Sequence, residues 1–234
     1  GKSTLFNVLC GVRQRVGHYL GVTVEKKTGK MSIDGRDFTV VDLPGTYSLA
    51  PRSPDEMVAV DVLLARRSDT PAPDVVVCIV DASNLERNLF LVSQALELNL
   101  PLVVALNMSD VAEQRSIKID RDELSKRLDV AVVELVANQR RGIDALKSAI
   151  ASASQRKVGQ RKSPFSEAFQ AEVKQLEEKI AATGKPWPKY LVERLLLDTG
   201  GYIESAGLPG ETDAVLSEVK AARERLREAG QPVP

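Results

Sequence analysis

The 234 residues are 43% hydrophobic, enough for a sizeable core in one or two domains, and Lys+Arg and Asp+Glu each number 32, so the formal net charge is zero. That balance excludes global steering toward nucleic acid or anionic lipid, and the longest apolar runs, Val75 to Val80 and Leu100 to Leu106, fall far short of the ~18 residues that a membrane span needs. Cys10 and Cys78 sit in apolar surroundings, which predicts buried free thiols and a reducing compartment.

The chain opens on Gly1-Lys2-Ser3-Thr4, which reads as the closing half of a phosphate-binding loop, G-x-x-x-x-G-K-[S/T], running into a helix. On that reading the preceding strand and the first half of the loop lie upstream of Gly1. The plainer alternative is an ordinary helix start with Ser3 as its cap. Leu5, Phe6 and Leu9 share one helical face, and Gly11 ends the helix. Residues 14 to 21 show little periodicity and read as a mobile loop holding the single histidine, His18, for which a solvated side chain is the simplest reading. Val22 to Lys27 and Arg36 to Asp42 then predict two antiparallel strands around an Asp34-Gly35 turn. The second strand ends in Asp42-Leu43-Pro44-Gly45. A D-x-x-G sequence there can hold Mg²⁺ through water and offer a glycine N–H to a γ-phosphate.

Ser53-Pro54-Asp55-Glu56 opens a further helix, and Pro71-Ala72-Pro73 reads as a linker. Val75 to Val80, Pro101 to Leu106 and Val130 to Val136 read as strands of a parallel sheet, separated by a helix from Leu85 to about Leu98 and followed by one from about Ile143 to Ala153. This is a doubly wound α/β layout of the P-loop type, a mostly parallel sheet with one antiparallel strand, and its ligands belong beyond the carboxyl ends of the strands. Residues 1–155 form that domain, 156–164 a polar, basic linker, and 165–234 a small helical domain with Val173, Leu176 and Ile180 turned inward. From residue 156 onward thirteen basic and twelve acidic residues nearly cancel, so the tail is no nucleic-acid arm, and its charges read as solvated helix faces.

The base is read from Asn107-Met108-Ser109-Asp110 at the end of a buried strand. The Asp110 carboxylate can accept from guanine N1–H and the N2 amine, a donor pair that adenine lacks, and Asn107 can bond the base edge and tie neighbouring loops together. Met108 and Ser109 stand where a basic residue is usual, which predicts weak affinity and fast exchange. The assignment that follows puts Lys2 on the β/γ-phosphates, Ser3 and Thr23 on Mg²⁺, Asp42 in the metal's water shell, and Gly45 on the γ-phosphate. Gly1, Thr4, Gly21, Val22, Leu43 and Pro44 complete the phosphate side, and an N–H of Ala137 or Asn138 meets guanine O6. Lys2, Thr23 and Gly45 would support in-line attack of water, with two loops, about 14 to 25 and 45 to 55, ordered by the triphosphate. Thr46 follows Gly45 where a water-positioning glutamine could stand.

Taken together, Gln14-Arg15-Val16-Gly17, Gly21-Val22-Thr23-Val24-Glu25-Lys26-Lys27, Asp42-Leu43-Pro44-Gly45-Thr46-Tyr47-Ser48-Leu49, Asp81-Ala82-Ser83-Asn84-Leu85-Glu86-Arg87-Asn88-Leu89 and Asn107-Met108-Ser109-Asp110 resemble the cytosolic N-terminal region of FeoB-type ferrous iron transporters. The resemblance implies a slow GTPase that regulates iron uptake from the cytoplasmic face of a bacterial inner membrane, with GTP, GDP and Mg²⁺ as ligands and the transporter's own membrane domain as partner. It adds small accessory proteins of the iron system or a homo-oligomer as further partners, and no nucleic acid. Family members are often stimulated by K⁺ held by an asparagine early in the phosphate loop, so K⁺ is carried over to no residue of this sequence. Two other classes share the motifs, a soluble ribosome- or RNA-associated GTPase and an interaction module without turnover.

Overall fold

A computed structural model of the chain describes residues 1–11, 14–159, 161–184, 186–206 and 213–233. The chain forms two compact units, Gly1–Leu49 with Val58–Gln160, and Ala50–Met57 with Arg161–Pro234.

In the first unit the chain runs α1 (Lys2–Cys10), β1 (Gln14–His18), β2 (Glu25–Ile33), β3 (Arg36–Asp42), α2 (Pro54–Leu63, whose first turn falls in the second unit), β4 (Val76–Asp81), α3 (Leu85–Glu97), β5 (Leu102–Asn107), α4 (Ser109–Gln114), α5 (Arg121–Leu128), β6 (Ala131–Glu134) and α6 (Ile143–Ala153). The α/β alternation stands as the sequence predicts, but the strands form two sheets rather than one mostly parallel sheet with a single antiparallel member. β1-β2-β3 is antiparallel throughout and β4-β5-β6 is parallel.

The antiparallel sheet holds the clearest departure from the sequence reading. Gln14–His18, expected as a loop, pairs residue for residue with β2 from Gln14↔Gly29 to His18↔Glu25. Nothing in its own side chains alternates; the hydrogen-bonding edge of β2 makes it a strand. The β2–β3 hairpin is the local case. Asp34 and Gly35 have φ of 50° and 76°, both in the left-handed region that a two-residue hairpin turn requires. β2 alternates, with Gly29, Met31 and Ile33 buried and Lys30 and Ser32 exposed.

All six residues of β5 are buried, as a central parallel strand demands. Val103 and Ala105 of β5 join Leu5 of α1, Met31 and Ile33 of β2, and Leu146 and Ile150 of α6 in one core that binds both sheets together. α1 can lie close to β2 because Gly29 has no side chain. A Cβ there would overlap Cys10 Sγ and stand 2.6 Å from Cys10 Cβ.

The second unit contains α7 (Glu167–Ala182), α8 (Lys189–Leu197), α9 (Tyr202–Ala206) and α10 (Asp213–Glu228). Phe169, Val173, Leu176 and Ile180 line the buried face of α7, the inward set that the periodicity predicts. Its charges are not all solvated. Arg223 is 3% exposed because its guanidinium donates to the terminal carbonyls of α8, Leu195 O at 2.6 Å and Leu196 O at 3.1 Å. Ala50–Met57 belongs to this unit, where Tyr202 N–H donates to Pro51 O at 3.3 Å. Among the described residues no helix is long and apolar enough to cross a membrane.

Candidate functional site

At the phosphate end, Gly1 caps α1, and Lys2 reaches across to the end of β3. Its ammonium donates to an Asp42 carboxylate oxygen and to Leu43 O at 2.6 Å. Forty residues of sequence separate the two partners, and the hairpin brings the D-x-x-G segment back over the first turn of α1. Gly45 lies above the same lysine, since a Cβ there would stand 4.0 Å from Lys2 Cε. Lys2 is therefore held by one anionic carboxylate oxygen, of the same charge sign as a phosphate oxygen, and one neutral carbonyl oxygen. Ser3 is exposed on the first turn, Thr4 is half-buried, and the Asp42 side chain is only 9% exposed. The hydroxyls of Ser3 and Thr23 and the Asp42 carboxylate are hard oxygen donors, the set that suits Mg²⁺, and Asp42 already faces a cation in the Lys2 ammonium. Burial, and secondarily the Asp42 charge, push the nearby Cys10 thiol up, while burial alone takes Cys78 up to about 12.

At the base end, Asn107 closes β5 and is 4% exposed. Its Oδ1 accepts the Ala137 N–H at 3.0 Å, the loop tie that the sequence predicts for it. The bond occupies the Ala137 N–H, one of the two donors expected to face the base, whereas Asn138, the other, is exposed. Met108, with φ 62° and ψ 33°, turns the chain left-handedly into α4. Ser109 is buried, its hydroxyl donating to Leu135 O at 3.2 Å and receiving Arg141 Nη2 at 3.2 Å. Asp110 is half-buried and accepts from Gln139 Nε2 at 3.3 Å. Gln139 and Arg141 were not legible as site residues, because their partners lie 29 and 32 residues away in sequence.

The two loops expected to be mobile are largely tied down. Residues 14–18 are strand β1. Gly21, with φ 79°, sits in a turn closed by the Tyr19 N–H bond to Val24 O at 3.0 Å; Val22 packs against buried Tyr19, and Thr23 is exposed on the turn. Leu43 packs in the same cluster, and Pro44 is half-buried. Downstream of Gly45, Gln94 Oε1 on α3 accepts the Ser48 hydroxyl at 3.0 Å and the Leu49 N–H at 2.6 Å. Gln94 is 2% exposed between the buried Val92 and Ala95, and a lone amide on the buried face of an amphipathic helix was the signal available for it.

A model of the family described as ferrous iron transport protein B matches residues 1–150. The Fe(2+) transporter FeoB of Salmonella typhimurium is 51% identical over 154 residues, covering 64% of this chain and 19% of that protein. The chain thus spans about a fifth of the length of the curated relatives it matches. Among solved structures, the cytosolic domain of the T. maritima FeoB iron transporter in its GMPPNP form superposes with a TM-score of 0.73 at 31% identity, covering 97% of this chain and 94% of that one. A point mutant of S. thermophilus NFeoB bound to mGDP gives a TM-score of 0.78 at 34% identity, with 98% and 86% covered.

Proposed function

The chain belongs to the ferrous iron transport protein B family, and we propose that it binds guanine nucleotides and hydrolyses GTP slowly, regulating ferrous iron uptake from the cytoplasmic face of a bacterial inner membrane. The observation that carries the reading is the base end, where Asn107 fixes the loop beside Asp110 and presents that carboxylate at the end of a fully buried strand. Asp110 accepts the N1–H and N2 donors of guanine, Met108 and Ser109 flank the base, and the Asn138 N–H meets O6. At the other end Lys2 exchanges Asp42 and Leu43 O for the β- and γ-phosphate oxygens, and the Gly45 N–H takes a γ-oxygen. Release of Lys2 frees the Asp42 carboxylate; Ser3 and Thr23 would hold Mg²⁺, with Asp42 acting through the metal's water shell, and the ion when bound would neutralise charge on the phosphates. Water then attacks the γ-phosphorus in line as the bridging oxygen departs with the diphosphate. The transporter's membrane domain is the proposed partner, with small accessory proteins or a second copy as further ones; K⁺ stimulation is proposed without a residue.

Nucleotide titration of wild type and Asp110→Asn tests the base assignment. Wild type should hold GDP at least tenfold more tightly than ADP or XDP. Asparagine keeps an acceptor for N1–H and offers an amide donor to the xanthine 2-oxo group, so the variant should prefer XDP. Equal binding of ADP and GDP by the wild type would refute the assignment.

A further inference from the structure

The turn that carries Thr23 is held from outside by a stretch that plays no part in the assignments above, the segment between α2 and β4. Both main-chain groups of Leu20 are taken by one ion pair. Asp69 Oδ2 accepts the Leu20 N–H at 2.7 Å and Arg67 Nη2 donates to Leu20 O at 2.7 Å. The pair itself is bidentate, with Arg67 Nε and Nη2 each 2.9 Å from an Asp69 oxygen, and both side chains are 12% exposed. In that geometry the guanidinium holds the Asp69 carboxyl well below the usual carboxylate range, with the Leu20 N–H and the Thr70 hydroxyl adding to the effect. Lys26 adds a second strut by donating to Thr70 Oγ1 at 2.7 Å and to Asp69 O.

Beneath these bonds lies Tyr19, 1% exposed, its ring centroid 5.2 Å from the Arg67 guanidinium and 5.3 Å from the Lys26 ammonium. Tyr19 packs with Val58 and Val62 of α2, with Val22 and Val24 on either side of Thr23, and with Leu43 beside Asp42. One cluster therefore fixes the turn bearing Thr23 and the residue adjoining Asp42, the two places where a triphosphate would be recognised.

We infer that Arg67 and Asp69 are positioning residues for the γ-phosphate side of the site: by ordering the Tyr19–Val24 turn in advance they set the preference for the triphosphate over the diphosphate. The inference rests on the proposed role of Thr23. The base and β-phosphate groups, Asn107, Asp110 and Lys2, sit on other elements, so loosening the turn weakens the Thr23 contact with the triphosphate more than the contacts that GDP makes. Holding the turn in advance removes part of the ordering entropy that binding otherwise has to supply.

The test titrates N-methylanthraniloyl GDP and GMPPNP, with Mg²⁺, onto wild type, Asp69→Asn, the double variant Arg67→Ala with Asp69→Ala, and Thr23→Ala. Asp69→Asn keeps an acceptor for the Leu20 N–H, and the double variant leaves no unpaired charge behind; unchanged GDP affinity serves as the control for folding. Expected is an about tenfold loss of GMPPNP affinity in the double variant, a smaller loss in Asp69→Asn, and GDP affinity within about twofold of wild type. If Thr23→Ala weakens GMPPNP while both clamp variants match wild type or bind it more tightly, the inference falls and the Thr23 assignment survives. A Thr23→Ala variant indistinguishable from wild type sinks both. Parallel loss of GDP and GMPPNP in the clamp variants would reduce the pair to a general structural role and overturn the inference.

Discussion

Replacing Asn107 by alanine removes one hydrogen bond whose consequences can be worked out from its surroundings. Asn107 Oδ1 is the acceptor for the Ala137 N–H, and both residues are almost fully buried, at 4% and 2% exposure. Truncation leaves a buried donor with no partner, which costs about 1–3 kcal/mol. The loop around it stays closed on itself, because Val136 and Arg141 exchange main-chain bonds at 3.0 and 3.2 Å and Leu135 N–H still donates to Leu106 O at 2.9 Å. The damage should therefore be local. Amide hydrogen exchange followed by NMR should show Ala137 exchanging about 5- to 150-fold faster, the equivalent of 1–3 kcal/mol, with Leu135 and Val136 little changed. Release of fluorescent GDP should accelerate by about tenfold as the loop beside Asp110 loosens. Unaltered protection at Ala137 would refute the accounting, and so would a uniform rise across β5 and β6, because the bond would then hold the whole sheet rather than one loop.

Gly29→Ala should lower stability by about 1–3 kcal/mol, read from the urea midpoint, since the new methyl overlaps Cys10 Sγ and meets Cys10 Cβ at 2.6 Å. Adding Cys10→Ala should recover only part of the loss, because the Cβ conflict remains; full recovery or no initial loss would show that α1 shifts freely. Tyr19→Phe removes a buried hydroxyl that has no hydrogen-bond partner, so the variant should match or exceed wild-type stability at neutral pH. Burial pushes Tyr19 up to about 12 from an ordinary value of 10.0, with the Arg67 charge opposing. The unfolded chain thus loses this proton first, and wild-type stability should fall as pH rises from about 10 toward 12, less steeply in Tyr19→Phe. Identical alkaline limbs would show that Tyr19 titrates as freely folded as unfolded.

What the sequence could disclose was whatever depends on neighbours in the chain. Five consecutive apolar residues, Leu102 to Leu106, make β5 a central strand, and the polar Asn107, Ser109 and Asp110 fall at its carboxyl end, the end where doubly wound sheets bind their ligands. Asp34-Gly35 specified its turn, and the 3.6-residue periodicity gave α6 and the inward face of α7. The places of Lys2, Asp42 and Asn107 could be read in the same way, because Lys2 opens α1 and Asp42 and Asn107 close β3 and β5.

Tertiary structure alone decided the rest. Gln14–His18 has no strand signal of its own and becomes one by pairing with β2; the two sheets separate for a similar reason, since which edges meet is not written in either strand. Gln139, Arg141 and the Arg67–Asp69 pair look like ordinary surface polar residues until the fold sets them against Asp110, Ser109 and Leu20, and Gln94, though marked by its place on the buried face of α3, shows its partner Leu49 only in the fold. The division is physical. Periodicity and turn chemistry act over a few residues and leave a local pattern, whereas a polar side chain that meets its partner 29 to 49 residues away depends on how the elements between them pack, and no short stretch of sequence records that.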